Sequence, residues 1–317
     1  MKFQMSKWTF RISGLIVNSE LKLPGVSPIP CPINQPDVSI RLRRVPERLD
    51  HASEQGPGWE LDANHFLLRL AGIGAMLCTR GNTVDVDPAP GADPDAALPF
   101  VLGTCFGVLL LQRGGLVLHG SAVADSQGRA YVFCGKSGMG KSTLAAALCQ
   151  NGTRFVNDDI CAVSLSEAGS PVIWPDGRQL KLLENSITHL NLAARRRGAV
   201  RPGVEKCYVE PPQSEPAVSE GGACEPLRLA AVYILDNEKL CRQIVLERLS
   251  PLESAQALHR QSYRRRVSLA MALRGSQVTV TAALVSRVPV FTLTRPVGLD
   301  HLAQTVAELQ AHWQDLH

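Results

Sequence analysis

One short segment of this sequence combines residue types and a spacing that suit phosphate chemistry. Residues 135–142 match the pattern G-x-x-x-x-G-K-[ST], and a threonine follows. Glycines let backbone N–H groups turn inward around a phosphate, and a helix that begins near Lys141 points the positive end of its dipole at the same group. Lys141 would reach the β- and γ-phosphates, and the Ser142 hydroxyl would be a magnesium ligand. The residues predicted to bind a nucleotide are Gly135, Lys136, Ser137, Gly138, Met139, Gly140, Lys141, Ser142 and Thr143.

The neighbouring sequence supports this interpretation. The apolar run Ala130–Cys134 predicts a central strand before the glycines, and the Ala- and Leu-rich segment Lys141–Gln150 predicts a helix after them. A strand, a glycine-rich turn and a helix are the context that the motif requires. The alternative is a glycine-rich turn that binds nothing, and this context disfavours it.

Two adjacent carboxylates follow the predicted helix. Asp158 and Asp159 come at the end of a short predicted strand, Arg154–Val156, and open α/β sheets bind ligands at the carboxyl edge of their strands. Because adjacent acids cannot point the same way, one can hold a metal while the other faces an incoming hydroxyl as general base. The alternative is that residues 157–159 form only a polar turn, and the upstream motif favours the functional interpretation.

The composition limits the classes of protein. The chain has 317 residues, 45% hydrophobic and 20% charged, with a net charge of +4, which predicts a globular protein of one or two domains. The charge is too small and too balanced for a nucleic-acid-binding protein. The nine cysteines show no C-x-x-C spacing, so we expect reduced thiols and a cytoplasmic protein without a signal peptide. Ala96–Leu111 is uncharged but short for a membrane span, and predicts a buried helix capped by Asp93 or Asp95.

Periodicity predicts strands in the first ninety residues and alternating strands and helices afterwards. The early strands are predicted at Trp8–Val17, Val38–Arg43, Phe66–Ala71, Ala75–Thr79 and Thr83–Val86. The later strands are predicted at Leu116–His119, Ala130–Cys134, Arg154–Val156, Ile160–Leu165, Leu229–Leu235, Ile244–Leu249 and Pro289–Thr294. We expect Leu229–Leu235 and Ile244–Leu249 to pair around a turn at residues 236–237, and Glu210–Pro226 to be a mobile surface loop. Helices are predicted at Lys141–Gln150, Pro251–Arg260, Gln277–Ser286 and Leu299–Asp315.

Three segments in this order resemble the core of the HPr kinase/phosphorylase family. They are Leu118–Val123, which contains His119-Gly120, the loop Gly135–Ser142, and Val156–Asp159. That family has an apolar strand ending in His-Gly, a G-x-S-G-x-G-K-S loop and a V-x-D-D segment at similar spacing. The Ser-Gly pair within the loop also occurs in phosphoenolpyruvate carboxykinases. The resemblance is strong over residues 116–165 and weak elsewhere.

The resemblance implies an α/β fold, α+β overall. It would be a P-loop kinase core related to HPr kinase and phosphoenolpyruvate carboxykinase, preceded by a β-rich N-terminal domain. We expect residues 1–112 to form that domain and residues 113–317 to form the kinase core. The activity implied is transfer of the γ-phosphoryl group of ATP to a serine hydroxyl of a peptide or protein, with ATP and Mg²⁺ as cofactors.

The resemblance also implies residue roles. Asp158 would be the base at the acceptor hydroxyl, and Asp159, with Ser142, would be at the metal. His119, which on its own reads as a structural histidine at a strand end, would line the phosphate site. Lys181 would face the active site, although a solvated lysine on a strand is an equally good interpretation.

The sequence departs from the family in two places. Leu182–Arg201 lacks the glycine-rich signature associated with phosphorylase activity, so no reverse reaction is predicted. The family's usual N-terminal domain is not recognisable in residues 1–112. These residues instead resemble the shorter, stand-alone HPr-kinase-like proteins of bacteria, over Phe10–Val17, Ser19–Pro24 and Val86–Asp93. Some of those proteins phosphorylate a serine of a precursor peptide, as in lasso-peptide tailoring. The acceptor implied is then a peptide rather than HPr.

Two other functions stay open at this point. One is a small-molecule kinase or carboxykinase-like enzyme, which would need a compact anion pocket. The other is a nucleotide-binding regulator without turnover. The arginine runs Arg195–Arg197 and Arg264–Arg266 could be solvated helix faces or an electropositive rim for an acidic partner. We expect neither nucleic acid nor a membrane as partner, and leave a homo-oligomer open.

Overall fold

The structure is a computed structural model that describes residues 8–29, 35–201, 203–212, 225–236, 241–272 and 276–316. Most of the predicted loop Glu210–Pro226 lies outside these residues, as do two of the nine cysteines. The seven described cysteines are free thiols. The fold is mixed α/β.

The alternating N-terminal residues form one eight-stranded sheet. The predicted run Trp8–Val17 is two strands, because the chain reverses at Ser13 and Gly14, both of which have positive φ. The strand order is β1-β2-β3-β8-β7-β6-β5-β4, and sequence reasoning missed β4 and β5. The strands are β1 (Trp8–Ile12), β2 (Leu15–Ser19), β3 (Val38–Leu42), β4 (Glu54–Gly56), β5 (Trp59–Leu61), β6 (His65–Leu70), β7 (Gly74–Thr79) and β8 (Thr83–Pro88).

The predicted apolar helix packs against this sheet and is irregular in the middle. Asp93 caps its start, accepting the Asp95 N–H at 2.9 Å. The chain then runs through a 3-10 turn (Pro94–Ala97), α1 (Leu98–Phe100), a π-helical turn (Val101–Cys105) and α2 (Phe106–Gln112). Single π turns within α-helices frequently occur at functional sites.

The length and apolar composition of this helix raise the question of whether it could span a membrane. Among the described residues, Pro94–Gln112 is the one continuous helix whose length and composition would let it cross a membrane. However, 72% of its most apolar stretch is buried inside the protein. The helices Arg265–Met271 and Ser276–Arg287 are long and apolar enough to cross a membrane only if they are taken together as one span, and that span would be bent by 109°.

The predicted glycine-rich loop and the two acids lie at the ends of strands of a second, nine-stranded sheet. Its first helix, α3 (Lys141–Gln150), has the predicted bounds and connects the third and fourth of these strands. The strand between β9 and β11 was not predicted, and it pairs with strands on both of its edges. The strands in this part of the chain are β9 (Leu116–Leu118), β10 (Gly120–Ala124), β11 (Arg129–Cys134), β12 (Arg154–Asp158), β13 (Cys161–Leu165) and β14 (Pro171–Ile173).

The chain next forms a small three-stranded sheet that sequence reasoning missed. The strand order is β15-β17-β16. Its elements are β15 (Leu180–Leu183), α4 (Glu184–His189), a 3-10 turn (Ala193–Arg195), β16 (Arg196–Ala199) and β17 (Lys206–Val209).

The C-terminal part completes the nine-stranded sheet and covers it with helices. α5 has the predicted bounds and begins with a capping box made by Ser250 and Glu253. The elements are β18 (Leu227–Asp236), β19 (Val245–Arg248), α5 (Pro251–Arg260), α6 (Arg265–Ala272), α7 (Ser276–Arg287), β20 (Val290–Thr294) and α8 (Leu302–Gln314).

One predicted pairing is wrong. The strands β18 and β19 do not pair around a turn at residues 236–237, because β20 lies between them. β20 runs parallel to β18 and antiparallel to β19. The parallel strands β11, β18 and β20 therefore lie side by side, and their carboxyl ends meet at one edge, which is where ligands bind in open α/β sheets.

A buried ion pair in the segment between β14 and β15 contacts the N-terminal part of the chain. The Arg178 Nε donates to Asp176 at 2.6 Å, and Arg178 Nη1 donates to the Leu102 carbonyl at 2.7 Å. Arg178 also forms an isolated bridge with Val26, and it is 4% exposed. Burial raises the pKa of Asp176 even though Arg178 lies beside it.

Removing Arg178 should therefore destabilise the protein strongly. We expect Arg178→Met to lower the free energy of unfolding by about 3–5 kcal/mol, because it leaves the Asp176 carboxylate buried without a counter-charge. The double variant Asp176→Leu/Arg178→Met should recover most of that loss, since no lone charge then remains. Urea denaturation followed by circular dichroism measures both. A single variant as stable as the wild type would contradict this account of the junction.

Candidate active site

The glycine-rich loop, residues 135–140, connects the end of β11 to the start of α3. Gly140 has a φ of +81° and is the N-cap of α3, which begins without a side-chain cap. Gly138 also has positive φ, +87°, and a Cβ there would meet no atom within 4 Å. The first N–H groups of α3 therefore face the loop without a capping side chain, which is the arrangement that binds phosphate at helix N-termini.

Lys141 lies under this loop rather than in solvent. Its Nζ donates to the carbonyls of Gly135 at 2.8 Å and Lys136 at 3.1 Å, and the residue is 7% exposed. Burial lowers the pKa of its ammonium group. The amino group is thus held at the inner side of the loop, where the sequence motif predicts the β- and γ-phosphates.

Asp158 connects three parts of the chain. Its Oδ1 accepts hydrogen bonds from Ser121 Oγ at 2.5 Å and Ser142 Oγ at 2.7 Å, and its Oδ2 accepts the Lys181 backbone N–H at 2.9 Å. It is 3% exposed, at the end of β12. Both of its oxygens are therefore fixed in direction before any ligand binds.

Asp159 points the other way, as two adjacent acids must. It has a φ of +75°, and its carboxylate lies 3.2 Å from His119 Nδ1 and 3.1 Å from Lys181 Nζ. Burial alone would raise the pKa of Asp159, but Lys181 and His119 outweigh burial and hold the pKa well below its usual range. The Asp159 carboxylate is therefore ionised at neutral pH and pairs with the Lys181 ammonium group beside the glycine-rich loop.

All of the predicted site residues line one cavity of about 1390 Å³. The structure brings together the loop, the two acids, His119 and Lys181, which the sequence spreads over 63 residues. The Lys181 ammonium group forms an ion pair with Asp159 and is not simply solvated. Thr143 lines the cavity too, but its hydroxyl is 3.0 Å from that of Ser186 on α4. Ser142 contacts Asp158, whereas the prediction placed it with Asp159 at the metal.

The structure adds a buried arginine that the sequence did not indicate. Arg295 follows β20, is 5% exposed, and donates from Nη2 to the Met139 carbonyl at 2.9 Å. Its Nε has no hydrogen-bond partner, and no ion pair to a described acid is present. A Cβ on Gly140 would lie 2.7 Å from Arg295 Nη2, so the loop and the arginine fit together closely. Only the insertion of β20 into the sheet places Arg295 here.

The two arginine runs differ in their surroundings. In the first run, Arg196 pairs with Glu184 at 3.6 Å and Arg197 pairs with Glu210 at 2.6 Å, away from the cavity. In the second run, Arg264 and Arg265 line the cavity. The first run therefore fits a structural role, and the second belongs to the candidate site.

The donor set fits a magnesium nucleotide better than a metal held by protein side chains alone. Within the described ranges, no group of three or more His, Cys, Asp or Glu side chains could hold a metal ion. Mg²⁺ usually takes one or two carboxylates, the phosphates of its substrate and water. Ser142 and Asp158, whose oxygens are already adjacent, could supply the protein ligands of such an ion, and the loop with Lys141 and Arg295 could hold the phosphates.

The Asp159–Lys181 pair predicts a change in acid stability. The pKa of Asp159 is lowered in the folded protein, so its ionisation stabilises the fold at neutral pH, and this contribution disappears as the pH falls through the lowered pKa. Lys181→Met should raise the pKa of Asp159, because burial then acts with less opposition. We expect the variant to unfold at a higher pH than the wild type when acid is added, measured by circular dichroism. Lys206→Met, which removes a cavity lysine not bonded to Asp159, is the control, and equal midpoints for all three proteins would contradict the prediction.

Comparisons with known proteins give a remote likeness to solved structures. No family model matches this chain, and no curated protein matches it. Among solved structures, the Hpr(Ser) kinase/phosphatase from Coxiella burnetii is 11% identical to it, with 63% of this chain and 97% of that chain covered and a TM-score of 0.33. Because the two chains superimpose so loosely, the function of this protein has to be inferred from its own site.

Proposed function

We propose that this protein is a magnesium- and ATP-dependent kinase that transfers the γ-phosphoryl group to a serine hydroxyl of a peptide or protein. The observation that carries the proposal is the contact between Ser142 of the glycine-rich loop and Asp158, inside one cavity that also holds Lys141 and Lys181. Phosphoryl transfer needs positioning and charge stabilisation more than covalent chemistry, and this arrangement provides both.

The cavity divides into a nucleotide side and an acceptor side. On the nucleotide side, the loop N–H groups, Lys141 and Arg295 would bind the triphosphate. On the acceptor side, His119, Asp159 and Lys181 lie beyond Asp158. Lys181 lies between the two carboxylates, with its backbone N–H on Asp158 and its ammonium group on Asp159, so it would meet the transferred phosphoryl group. Mg²⁺ would neutralise the charge that develops on the phosphates.

The geometry favours an exchange of the roles predicted for the two acids. Ser142 and Asp158 are in contact, so we assign the metal to this pair. Asp159 is 27% exposed in its side chain and lies beside His119, so we assign it to the acceptor hydroxyl. With its lowered pKa, Asp159 would orient the hydroxyl as a hydrogen-bond acceptor more than it would remove the proton early.

A small-molecule kinase is the second candidate, and one observation favours it. Cations of the second arginine run lie at the cavity, as a pocket for a small anionic acceptor would require. The third candidate, a nucleotide-binding regulator without turnover, would share the glycine-rich loop but would form no ADP. The cytoplasmic location, the precursor-peptide substrate and the division at residue 112 stay predictions.

The two acids can be tested separately. With γ-labelled ATP and a pool of serine-containing peptides, we expect Asp158→Asn and Asp159→Asn each to lower phosphoryl transfer by about 10²-fold or more. Raising the Mg²⁺ concentration should partly restore Asp158→Asn, because its defect is in metal binding. It should leave Asp159→Asn unchanged, because its defect is at the acceptor.

Arg196→Gln is the control, since that arginine lies outside the cavity, and it should keep wild-type transfer. Equal transfer by wild type and Asp158→Asn would remove Asp158 from the mechanism. Thermal stabilisation by ATP with no ADP formed under any acceptor would support the regulator instead. Rescue of Asp159→Asn rather than Asp158→Asn by Mg²⁺ would restore the roles predicted from the sequence.

A further inference from the structure

The acceptor side of the cavity is bordered by cations for which the proposed chemistry has no use. Four of them form what we call the cationic wall: Arg201, Arg260, Arg264 and Arg265. None of the four has an acidic partner within 4.0 Å among the described residues. The two acids that line the cavity, Asp158 and Asp159, are both occupied by other partners.

The backbone of this wall is hydrogen-bonded to β9 and to His119, which directly follows it. The His119 N–H donates to the Gln261 carbonyl at 2.8 Å, and the Tyr263 N–H donates to the Val117 carbonyl at 2.8 Å. The Tyr263 ring packs over Gly107, where a Cβ would lie 2.6 Å from it. These contacts place residues 261–265 next to the His119–Asp159 pair, and hence on the acceptor side of the cavity.

Two arginines of the wall are oriented by the irregular apolar helix. Arg264 has a φ of +48° and donates from Nη2 to Thr104 Oγ1 at 2.6 Å, in the π-helical turn. Arg201 lies over the Phe100 ring, 5.4 Å from its centroid. Since both contacts leave the guanidinium charge unneutralised, the helix holds the cations in place without pairing them.

We propose that the cationic wall binds acidic residues that flank the acceptor serine. The proposal rests on the proposed kinase function and names its substrate class: a peptide segment rich in Asp or Glu. Guanidinium groups bind carboxylates through paired N–H donors, and a surface of one charge attracts a segment of the opposite charge before contact.

The exposure of the cationic wall favours a peptide over a small anion, since a small ligand would lie mostly enclosed within the cavity. Arg260, Arg264 and Arg265 are exposed to solvent as well as lining the cavity, so the wall continues from the cavity to the surface. A chain that enters past these residues would pass their charges before its serine reaches Asp159.

Direct binding tests the proposal without any phosphoryl transfer. The probes are two fluorescein-labelled synthetic peptides of equal length with one central serine, flanked by Asp and Glu in one and by Asn and Gln in the other. Fluorescence anisotropy is measured with the full chain, with and without Mg²⁺ and a non-hydrolysable ATP analogue. We expect the acidic peptide to bind about tenfold more tightly than the neutral one, with the difference shrinking at high salt.

Arg260→Gln/Arg265→Gln should lose that preference, because two charges of the wall are gone. Arg242→Gln/Arg266→Gln is the matched control: it removes two exposed arginines that do not line the cavity, so it changes the net charge equally. It should keep the preference within about twofold.

Equal binding of the two peptides to the wild type, or an equal loss in both double variants, would overturn the proposal. So would displacement of the acidic peptide by free glutamate as effectively as by unlabelled peptide, which would favour a small anionic acceptor. A different result would separate the two proposals. If the protein bound the acidic peptide more tightly than the neutral one but the ATP analogue did not stabilise it against heat, the kinase function would be contradicted and the peptide-binding role of the cationic wall would be supported.

Discussion

The site depends on a carboxylate that is buried and fully engaged before any ligand arrives. Asp158 accepts three hydrogen bonds from different elements. The donors are the Ser121 hydroxyl in β10, the Ser142 hydroxyl in α3 and the Lys181 N–H in β15. A buried carboxylate without such partners would cost several kcal/mol. Its bonds therefore fix β10, α3 and β15 relative to one another, and they place the loop opposite Lys181.

Charge is distributed unevenly around this point. Lys141 and Arg295 lie under the loop and are nearly buried, so the loop is rich in positive charge where an anion would bind. On the acceptor side, the Asp159 carboxylate is paired with the Lys181 ammonium group and contacts His119. The N-terminal sheet takes part indirectly: its helix supplies Thr104 to Arg264 and accepts Arg178 at Leu102, so the β-rich part shapes the cavity in addition to completing a core.

Local features could be predicted from the sequence, and features set by distant pairing could not. The bounds of α3 and α5 follow from local composition, and the loop and both acids are visible as motifs. Arg295 reaches the loop only because β20 inserts between β18 and β19. From the sequence, β18 and β19 resemble a hairpin, so this non-local pairing is not predicted. The Asp159 carboxylate faces His119 and Lys181 from a residue with left-handed backbone, which alternation along a strand does not predict.

The central claim is that a magnesium nucleotide occupies the loop with its last phosphate facing the two acids. A crystal structure with Mg²⁺ and a non-hydrolysable ATP analogue tests this most directly. The account predicts the γ-phosphate between Lys141 and Lys181, with the metal touching Ser142 and Asp158. A triphosphate bound away from residues 135–143, or no bound nucleotide at saturating concentration, would contradict it.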